Sequence, residues 1–521
     1  MFCINKHNTG SLFMDNKVRK NSIYSLLKAF SQVVFPLITF PYISRVLHAE
    51  NVGKVNFGNS IISYVSLAAS LGITTYAVRE CSKIKDDNNK LENMVGQIIS
   101  LNMVTTFIAY IGLALALLAA KPLENYREMI IILSTTVLFT TLGADWLNTA
   151  MEDFKYITVR TFLFQLVSIT AMLLFVRKPE DYMRYAVITV IASSGASITN
   201  MVYRRKFCKT KLTLNIDWKR HLPPVLLLFV MVLAQTIYCN SDITILGIIK
   251  GNYEVGLYST SVKIYSLVNS TIASIAWVVM PQMTKNFNEG NYNEINKLFR
   301  YTFNFVVILG LPCVVGINIL CPEMIEIIAG KEYLGATGSL HILSIALAIS
   351  LIGGLIGNVL LLPAMEEKTC LIACVISAMA NIILNLLFIP KYGITAAAAT
   401  TAVSELISLC IAISRVDKKI KLIACRKDLI GPVIGAVLII LIGKCVAIVT
   451  EHLWTKTVLT ILLSMLGYFI VLILTRNEFT KNMSEMLLGK CRHKKIAIHG
   501  FFLGGGLRYD LSHDIVNLYV Y

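Results

Sequence analysis

Long apolar runs alternate with short polar connections along most of this chain. A bilayer core about 30 Å thick is crossed by about 20 apolar residues in a helix. The runs are continuous and much longer than the alternating segments of a membrane β-barrel. The pattern therefore predicts an all-α, polytopic membrane protein with about fourteen spans. The predicted spans are residues 22–47, 54–78, 94–120, 126–147, 155–176, 182–203, 222–249, 256–281, 301–321, 339–362, 369–389, 395–415, 428–449 and 453–475.

The composition agrees with this prediction. Of the 521 residues, 55% are apolar and 15% are charged, and the mean hydropathy is +0.66. Soluble domains carry roughly 25% charged residues, and one or two soluble cores cannot hide this much apolar surface. These values exclude a disordered chain and argue against a soluble enzyme.

The net charge of +17 follows the predicted topology. The two tails and the connections after the even-numbered spans hold about three times as many Lys and Arg residues as the opposite connections. Cytoplasmic connections carry such an excess, so both termini are predicted to be cytoplasmic. The basic connections would then lie beside anionic lipid headgroups, and nucleic acid is not an expected partner.

A weak internal repeat predicts two lobes. A shift of 203 residues places the second predicted span on the eighth. The offset is six helices, an even number, so the two copies would have the same orientation, as in many two-lobed transporters with a cavity between the lobes. The matched residues are Val52, Gly53, Ile61, Ser63 and Val65 with Val255, Gly256, Ile264, Ser266 and Val268.

The predicted domain plan follows from the repeat and the spans. Two six-helix lobes are joined by a basic linker, and two further helices follow the second lobe. We assign no role to residues 1–13 and 490–521. In chain order the plan is an N-terminal tail (1–21), an N-lobe (22–203), the linker (204–221), a C-lobe (222–415), the last two helices (428–475) and a C-terminal tail (476–521).

Ionisable residues inside the spans are the candidates for function. Each costs about 2.5–3.5 kcal/mol at a helix centre unless it has a partner or water. Lys28, Lys263 and Glu405 lie well inside spans. The two lysines are intramembrane cations, which suit an anionic substrate such as a phosphate or pyrophosphate. Snorkelling or an interfacial ion pair is the more ordinary interpretation for Arg45, Arg79, Asp145, Arg160 and Lys444.

Motifs of covalent and metal chemistry are missing from the sequence. It contains no G-x-x-x-x-G-K-[ST], no H-E-x-x-H and no G-x-S-x-G. Its twelve cysteines form no C-x-x-C pair, and most lie in apolar runs, where cysteine behaves as a small hydrophobe. We therefore predict no catalytic residue, metal site, cofactor or disulfide framework.

An ordered series of segments resembles the bacterial polysaccharide flippases of the O-antigen and capsule type. These proteins belong to the multidrug/oligosaccharidyl-lipid/polysaccharide exporter superfamily. The resemblance covers roughly residues 14–476, and it departs from the family at residues 48–51, where the family usually shows Gly and Pro. The segments are FPLITFPYISRVL (35–47), LGITTYAVRE (71–80), DW (145–146) with KYITVR (155–160), DITILG (242–247), VGLYSTSVKIY (255–265), VMP (279–281) and NIILNLLFIPKYG (381–393).

The resemblance implies a fourteen-helix, two-lobed transporter of the bacterial cytoplasmic membrane. It would move undecaprenyl-pyrophosphate-linked oligosaccharide by alternating access, with membrane lipids around it and a glycan polymerase and export machinery as further partners. A basic cavity would hold the pyrophosphate, and Asp242 and Glu405 would be counter-ions or coupling groups. The substrate-binding residues carried over to this sequence are Lys28, Arg45, Arg79 and Lys263.

Two alternatives stay open. A drug or cation antiporter of the same fold would confer resistance to lipophilic cations, and such a protein is expected to use carboxylates and aromatic rings in its cavity. A membrane-embedded glycosyltransferase or glycan polymerase would need an acidic catalytic group in a sizeable outer loop. The predicted outer loops are short, so the flippase is the favoured interpretation.

Overall fold

The computed structural model describes residues 9–209, 211–213, 215–422 and 426–475. Within these ranges every regular element is a helix, which confirms the predicted all-α class. The first eight residues and the predicted C-terminal tail, residues 476–521, lie outside the described part of the chain. The first helix begins at Thr9, inside the predicted N-terminal tail.

The α-helices are numbered in chain order. Four short 3-10 helices (Lys121–Tyr126, Pro179–Asp181, Arg204–Lys206 and Lys331–Ala336) and a π-helical turn (Ile356–Leu361) connect some of them. The α-helices are α1 (Thr9–Ser70), α2 (Ile73–Lys83), α3 (Asn88–Ala119), α4 (Arg127–Gly143), α5 (Trp146–Ala150), α6 (Phe154–Phe175), α7 (Tyr182–Tyr203), α8 (Trp218–Ile249), α9 (Asn252–Ala273), α10 (Ile275–Asn288), α11 (Tyr292–Ile319), α12 (Cys321–Ile328), α13 (Thr337–Leu355), α14 (Glu367–Ser414), α15 (Arg426–Val449) and α16 (Leu453–Leu474).

Eleven helical stretches of the described residues are long and apolar enough to cross a membrane. Two of them, Ile23–Lys83 and Glu367–Ser414, each contain two of the predicted spans. The predicted span 126–147 falls largely on α4, whose 17 residues are at the short end for a membrane crossing. The protein is a multi-pass membrane protein, and the count of fourteen spans stays a prediction.

Several of the long helices begin at a side-chain cap. The carboxylate of Asp87 accepts a hydrogen bond from the backbone N–H of Lys90 at the start of α3, at 3.1 Å. Asp153 does the same for α6 and Asn291 for α11. Each cap satisfies one of the N–H groups that a helix start leaves without a partner, so these polar residues fix where the apolar helices begin.

The chain divides into two compact units. Of the described residues, unit 1 contains 9–47 and 58–236, and unit 2 contains 48–57 and 237–475. A buried core of unit 1 joins α2, α3 and α5 to the start of α8. A core of unit 2 packs α11 against α15 and α16. The predicted lobe boundaries stay a prediction.

Two glycines allow a close approach inside unit 2. A Cβ atom on Gly53 would lie 1.8 Å from the carbonyl oxygen of Asn252, and one on Gly256 would lie 2.1 Å from that of Ala49. Nearby, Asn56 Nδ2 donates a hydrogen bond to Ser259 Oγ at 2.7 Å. Gly53 and Gly256 are matched by the 203-residue shift found in the sequence, and Asn56 and Ser259 are separated by the same interval. Segments matched by the repeat therefore meet in this unit.

The turn at His48 is strained, and contacts with Glu332 hold it. His48 has φ 62° and ψ 168°, a region that is essentially restricted to glycine. The carboxylate of Glu332 accepts a hydrogen bond from the Ala49 backbone N–H at 3.0 Å, and its other oxygen lies 2.7 Å from His48 Nδ1. This is the segment where the sequence departs from the Gly and Pro of the family it resembles, and contacts to Glu332 accompany the departure.

Two substitutions at His48 separate the backbone strain from the ring contact. His48→Ala removes the contact with Glu332 and keeps the strain, whereas His48→Gly removes both. Because the strain costs about 1–3 kcal/mol, we expect the glycine variant to unfold at the higher temperature. Thermal unfolding of the two purified full-length variants measures the difference, and equal midpoints would contradict a strained turn.

Candidate functional site

A buried carboxylate lies at the centre of a polar network in unit 2. Asp242, on α8, is 7% exposed. Its Oδ2 accepts hydrogen bonds from the hydroxyl of Tyr258 on α9 and from Thr401 on α14, each at 2.7 Å. Its Oδ1 accepts one from Asn385 Nδ2 at 2.6 Å. Two helices, α9 and α14, therefore direct neutral donors at an acid carried by a third, α8.

Asparagines extend this network along α14. Asn385 Nδ2 also donates to Asn381 Oδ1 at 2.9 Å, and its own Oδ1 accepts from Thr400 at 2.5 Å. Asn381 Oδ1 accepts from Ser241 Oγ at 2.7 Å. Helix α14 bends at Gly393, whose φ is 56°. The two asparagines precede this bend and the two threonines follow it, so the bend lets both segments of α14 reach the acid.

A second acid of unit 2 lies among tyrosines. Glu405, also on α14, is half-buried, and its Oε1 accepts a hydrogen bond from the Tyr265 hydroxyl at 3.2 Å. The ring of Tyr238 lies within electrostatic range of both Glu405 and Asp242. The structure thus brings the two predicted coupling residues into one neighbourhood of unit 2. Among the described residues no group of three or more His, Cys, Asp and Glu side chains could hold a metal ion.

A charged cluster occupies the interior of unit 1. Arg160, on α6, is 6% exposed. Its Nη1 lies 3.0 Å from Asp145 Oδ1, and its guanidinium lies over the Tyr156 ring at 5.1 Å from the ring centroid. Asp145 Oδ2 accepts a hydrogen bond from Ser197 Oγ on α7 at 2.6 Å. Lys28, half-buried on α1, interacts electrostatically with both Asp145 and Arg160.

The other predicted cations have different surroundings. Arg45 is exposed, and its Nη1 donates to the Pro41 carbonyl at 2.6 Å. Arg79 Nε donates to Glu80 at 3.1 Å near the end of α2. Lys263 is half-buried on α9, the helix that also carries Tyr258. The structure therefore places Lys28 in the charged cluster of unit 1, whereas the contacts it shows for Arg45 and Arg79 are with the Pro41 carbonyl and Glu80.

Neutral members of the network in unit 2 escaped the sequence analysis. Ionisable side chains mark functional positions inside spans, whereas Asn381 and Asn385 carry no charge. A signal was present, because they are four residues apart in an apolar helix and therefore share one face. The interfacial interpretation of Arg160 was incomplete, since Arg160 does pair with Asp145 but is buried in the helix bundle.

The sequence matches known proteins of glycan biosynthesis. The model of the polysaccharide biosynthesis protein family matches residues 18–287. A "Putative O-antigen transporter" of Escherichia coli (strain K12) is 24% identical over 270 residues, 51% of this chain and 65% of that relative. A protein of the same name from Shigella dysenteriae is 22% identical over 385 residues, 72% of this chain and 94% of that relative.

The fold matches that of a solved transporter. The structure of the "Lipid II flippase MurJ, inward closed conformation" superimposes with a TM-score of 0.69, covering 87% of this chain and 99% of that one at 16% identity. At this identity the likeness concerns the fold alone. A fold of many membrane-spanning helices agrees with the predicted fold class.

A tyrosine substitution tests whether the network of Asp242 is as well satisfied as its distances indicate. Tyr258 is 1% exposed, and Tyr258→Phe deletes only the hydroxyl that donates to Asp242. A hydrogen bond to a charged group is worth about 1.5–3 kcal/mol, so we expect a clear drop in the thermal unfolding midpoint. Tyr392→Phe is the control, because that ring is 54% exposed. Equal midpoints for the two variants would refute this view of the network.

Proposed function

This chain belongs to the polysaccharide biosynthesis protein family, and from that membership we propose that it is a flippase of lipid-linked glycans. It moves an undecaprenyl-pyrophosphate-linked oligosaccharide across the bacterial cytoplasmic membrane by alternating access. Two relatives are named for O-antigen transport, which supports this substrate class. Translocation makes and breaks no covalent bond, so the proposal assigns no catalytic residue.

The observation that carries the proposal is a half-buried lysine on a membrane-spanning helix of each unit. Lys28 lies on α1 and Lys263 on α9. Each lysine places a positive charge within a membrane-spanning helix, where ionisable residues mark substrate pathways, and a diphosphate supplies the opposite charge and several acceptor oxygens. We assign these two lysines to the diphosphate, together with Arg45 and Arg79 at earlier or later steps of transport.

The acids of unit 2 are proposed to couple transport to a cation gradient. Asp242, on α8, is held by neutral donors from α9 and α14, so a proton or metal cation arriving there would change the hydrogen bonds that join these three helices. Glu405 is the second candidate. We also place both termini in the cytoplasm, in line with the basic connections, and expect a glycan polymerase to take up the product.

Loss of the two lysines should stop export. We expect Lys28→Ala combined with Lys263→Ala to lower surface glycan at least about tenfold in a strain that depends on this chain, because the diphosphate loses its counter-charges. Glycan is measured on cells and protein in isolated membranes. The control is Lys444→Ala, since Lys444 is an exposed lysine of a membrane-spanning helix. Normal glycan export by the double variant, at a normal protein level, would contradict the assignment of the two lysines to the diphosphate.

Asp242 can be tested with an isosteric neutral variant. Asp242→Asn keeps the size of the side chain and removes its charge. We expect export to fall at least about tenfold and the remaining activity to lose its dependence on the proton or sodium gradient, because the group that senses the cation is gone. Fluorescent polyprenyl-diphosphate transport in proteoliposomes measures both. A variant that still follows the gradient as the unmodified chain does would exclude Asp242 as the coupling group.

The antiporter alternative makes a different prediction in the same strain. Expression of a drug or cation antiporter raises resistance to lipophilic cations and leaves surface glycan unchanged. Resistance without glycan export would replace the flippase proposal. Glycan export without resistance would support it.

A further inference from the structure

The guanidinium of Arg160 is buried without the hydrogen bonds that its donors need. Its Nε and Nη1 have no hydrogen-bond acceptor among the described residues, although the residue is 6% exposed. An arginine carries five N–H donors and keeps its charge at all relevant pH values. Buried charged donors are rarely left in this state, so the arrangement points to an acceptor that comes from outside the chain.

The nearby carboxylate does not supply that acceptor. Asp145 Oδ1 lies 3.0 Å from Arg160 Nη1, yet neither atom forms a hydrogen bond, so the pair is close in distance but poorly aligned. The other oxygen of Asp145 is held by Ser197 Oγ at 2.6 Å. Asp145 is therefore fixed from α7, and it neutralises Arg160 without using the donor fork.

A structural ion pair elsewhere in the chain shows the contrast. Arg300 donates to Asp428 Oδ2 through Nε at 2.9 Å and through Nη2 at 2.6 Å. That pair joins α11 to α15 with aligned donors. If Arg160 and Asp145 served only to join α6 to the start of α5, we would expect a similar alignment. The open donors of Arg160 indicate a binding role.

Lys28 supplies a second positive charge to the same place. It is half-buried and interacts electrostatically with Asp145 and Arg160. The side chain of Asp145 is 38% exposed, so the cluster is open on one side. Two cations face one carboxylate, which leaves a net positive charge for an incoming anion.

We propose that Arg160 and Lys28 form a diphosphate-binding pair in unit 1, with Asp145 as its resident counter-ion. The planar fork of Arg160 matches two phosphate oxygens, and Lys28 adds a point charge. Asp145 partly neutralises the pair when it is empty and repels the anion when it is filled, which favours release. The identification of the anion as the diphosphate of a lipid-linked glycan rests on the proposed function.

Binding of inorganic pyrophosphate tests the pair. The full-length protein is reconstituted in phosphatidylcholine nanodiscs at low salt, and affinity is measured by calorimetry. We expect Arg160→Gln to weaken binding at least about tenfold and Asp145→Asn to tighten it about threefold or more, because one removes an attraction and the other a repulsion. A purely structural pair would weaken binding in both variants.

The control substitution is Arg300→Gln, which removes the same charge from a structural pair and should leave pyrophosphate affinity unchanged. Arg160→Lys covers the case in which Arg160→Gln does not fold, because it keeps the charge and loses the fork. We expect its affinity to fall severalfold. The inference is overturned if the folded Arg160 variant binds pyrophosphate as tightly as the unmodified chain does. It is also overturned if that variant loses no more affinity than Arg300→Gln.

Two further measurements identify the source of the anion. Addition of phosphatidylglycerol to the nanodiscs should leave pyrophosphate affinity unchanged, and competition by that lipid would instead assign the pair to a phospholipid headgroup. The export assay is read separately. If the chain exports glycan but substitution of Arg160 leaves pyrophosphate binding unchanged, only this inference is overturned. If pyrophosphate binding depends on Arg160 but the chain exports no glycan, only the proposed function is overturned.

Discussion

An ionised side chain in the membrane interior must find a partner or water, at a cost of about 2.5–3.5 kcal/mol when it does not, and the helices of this protein are arranged around that requirement. Asp242 meets it with neutral hydroxyl and amide donors. Arg300, which lies just before the predicted span 301–321, pairs with an aligned carboxylate. Arg160 has a carboxylate nearby but keeps open donors. The buried carboxylate of Asp242 thus meets this physical demand in full, whereas the buried guanidinium of Arg160 meets it only in part.

The difference between these places has functional meaning. A fully satisfied polar network holds its helices in one arrangement, because any shift leaves a buried donor or acceptor without a partner. The carboxylate of Asp242 is held in this way, because both of its oxygens accept hydrogen bonds. A cation that takes over this carboxylate would release three helices together. A partly satisfied group gains hydrogen bonds when a ligand arrives. Arg160 is of this kind, so it favours the bound state of an anion.

Hydropathy and length were enough to predict the fold class, because an apolar run of about 20 residues has few other structures available to it. They could not predict which polar residues meet. Asp145 and Arg160 approach across the short helix α5 and a left-handed turn at Glu152, with φ 58°. Asn385 reaches Asp242 because α14 bends at Gly393. Such contacts depend on turn geometry, which the apolar pattern does not record.

The strain at His48 is a second feature that the sequence pattern does not predict. The sequence signals only that the usual Gly and Pro are missing there, whereas the structure shows a backbone conformation suited to glycine and an acid 284 positions away beside the histidine ring. No local pattern links residues 48 and 332. The turn and residues 49–57 belong to unit 2, as does Glu332.

The two buried clusters have opposite charge, and each is proposed to bind a different ligand during transport. In unit 1 two cations face one carboxylate, which suits an anion. In unit 2 the hydrogen-bond partners of Asp242 are neutral, which leaves a negative site suited to a cation. Because the two ligands have opposite charge, they do not compete for one site, and each can favour its own conformation of the helices around it. If both favour the same conformation of the whole chain, linkage requires that each raise the affinity for the other by an equal factor. A gradient of the cation would then be felt at the glycan diphosphate without any contact between the two ligands.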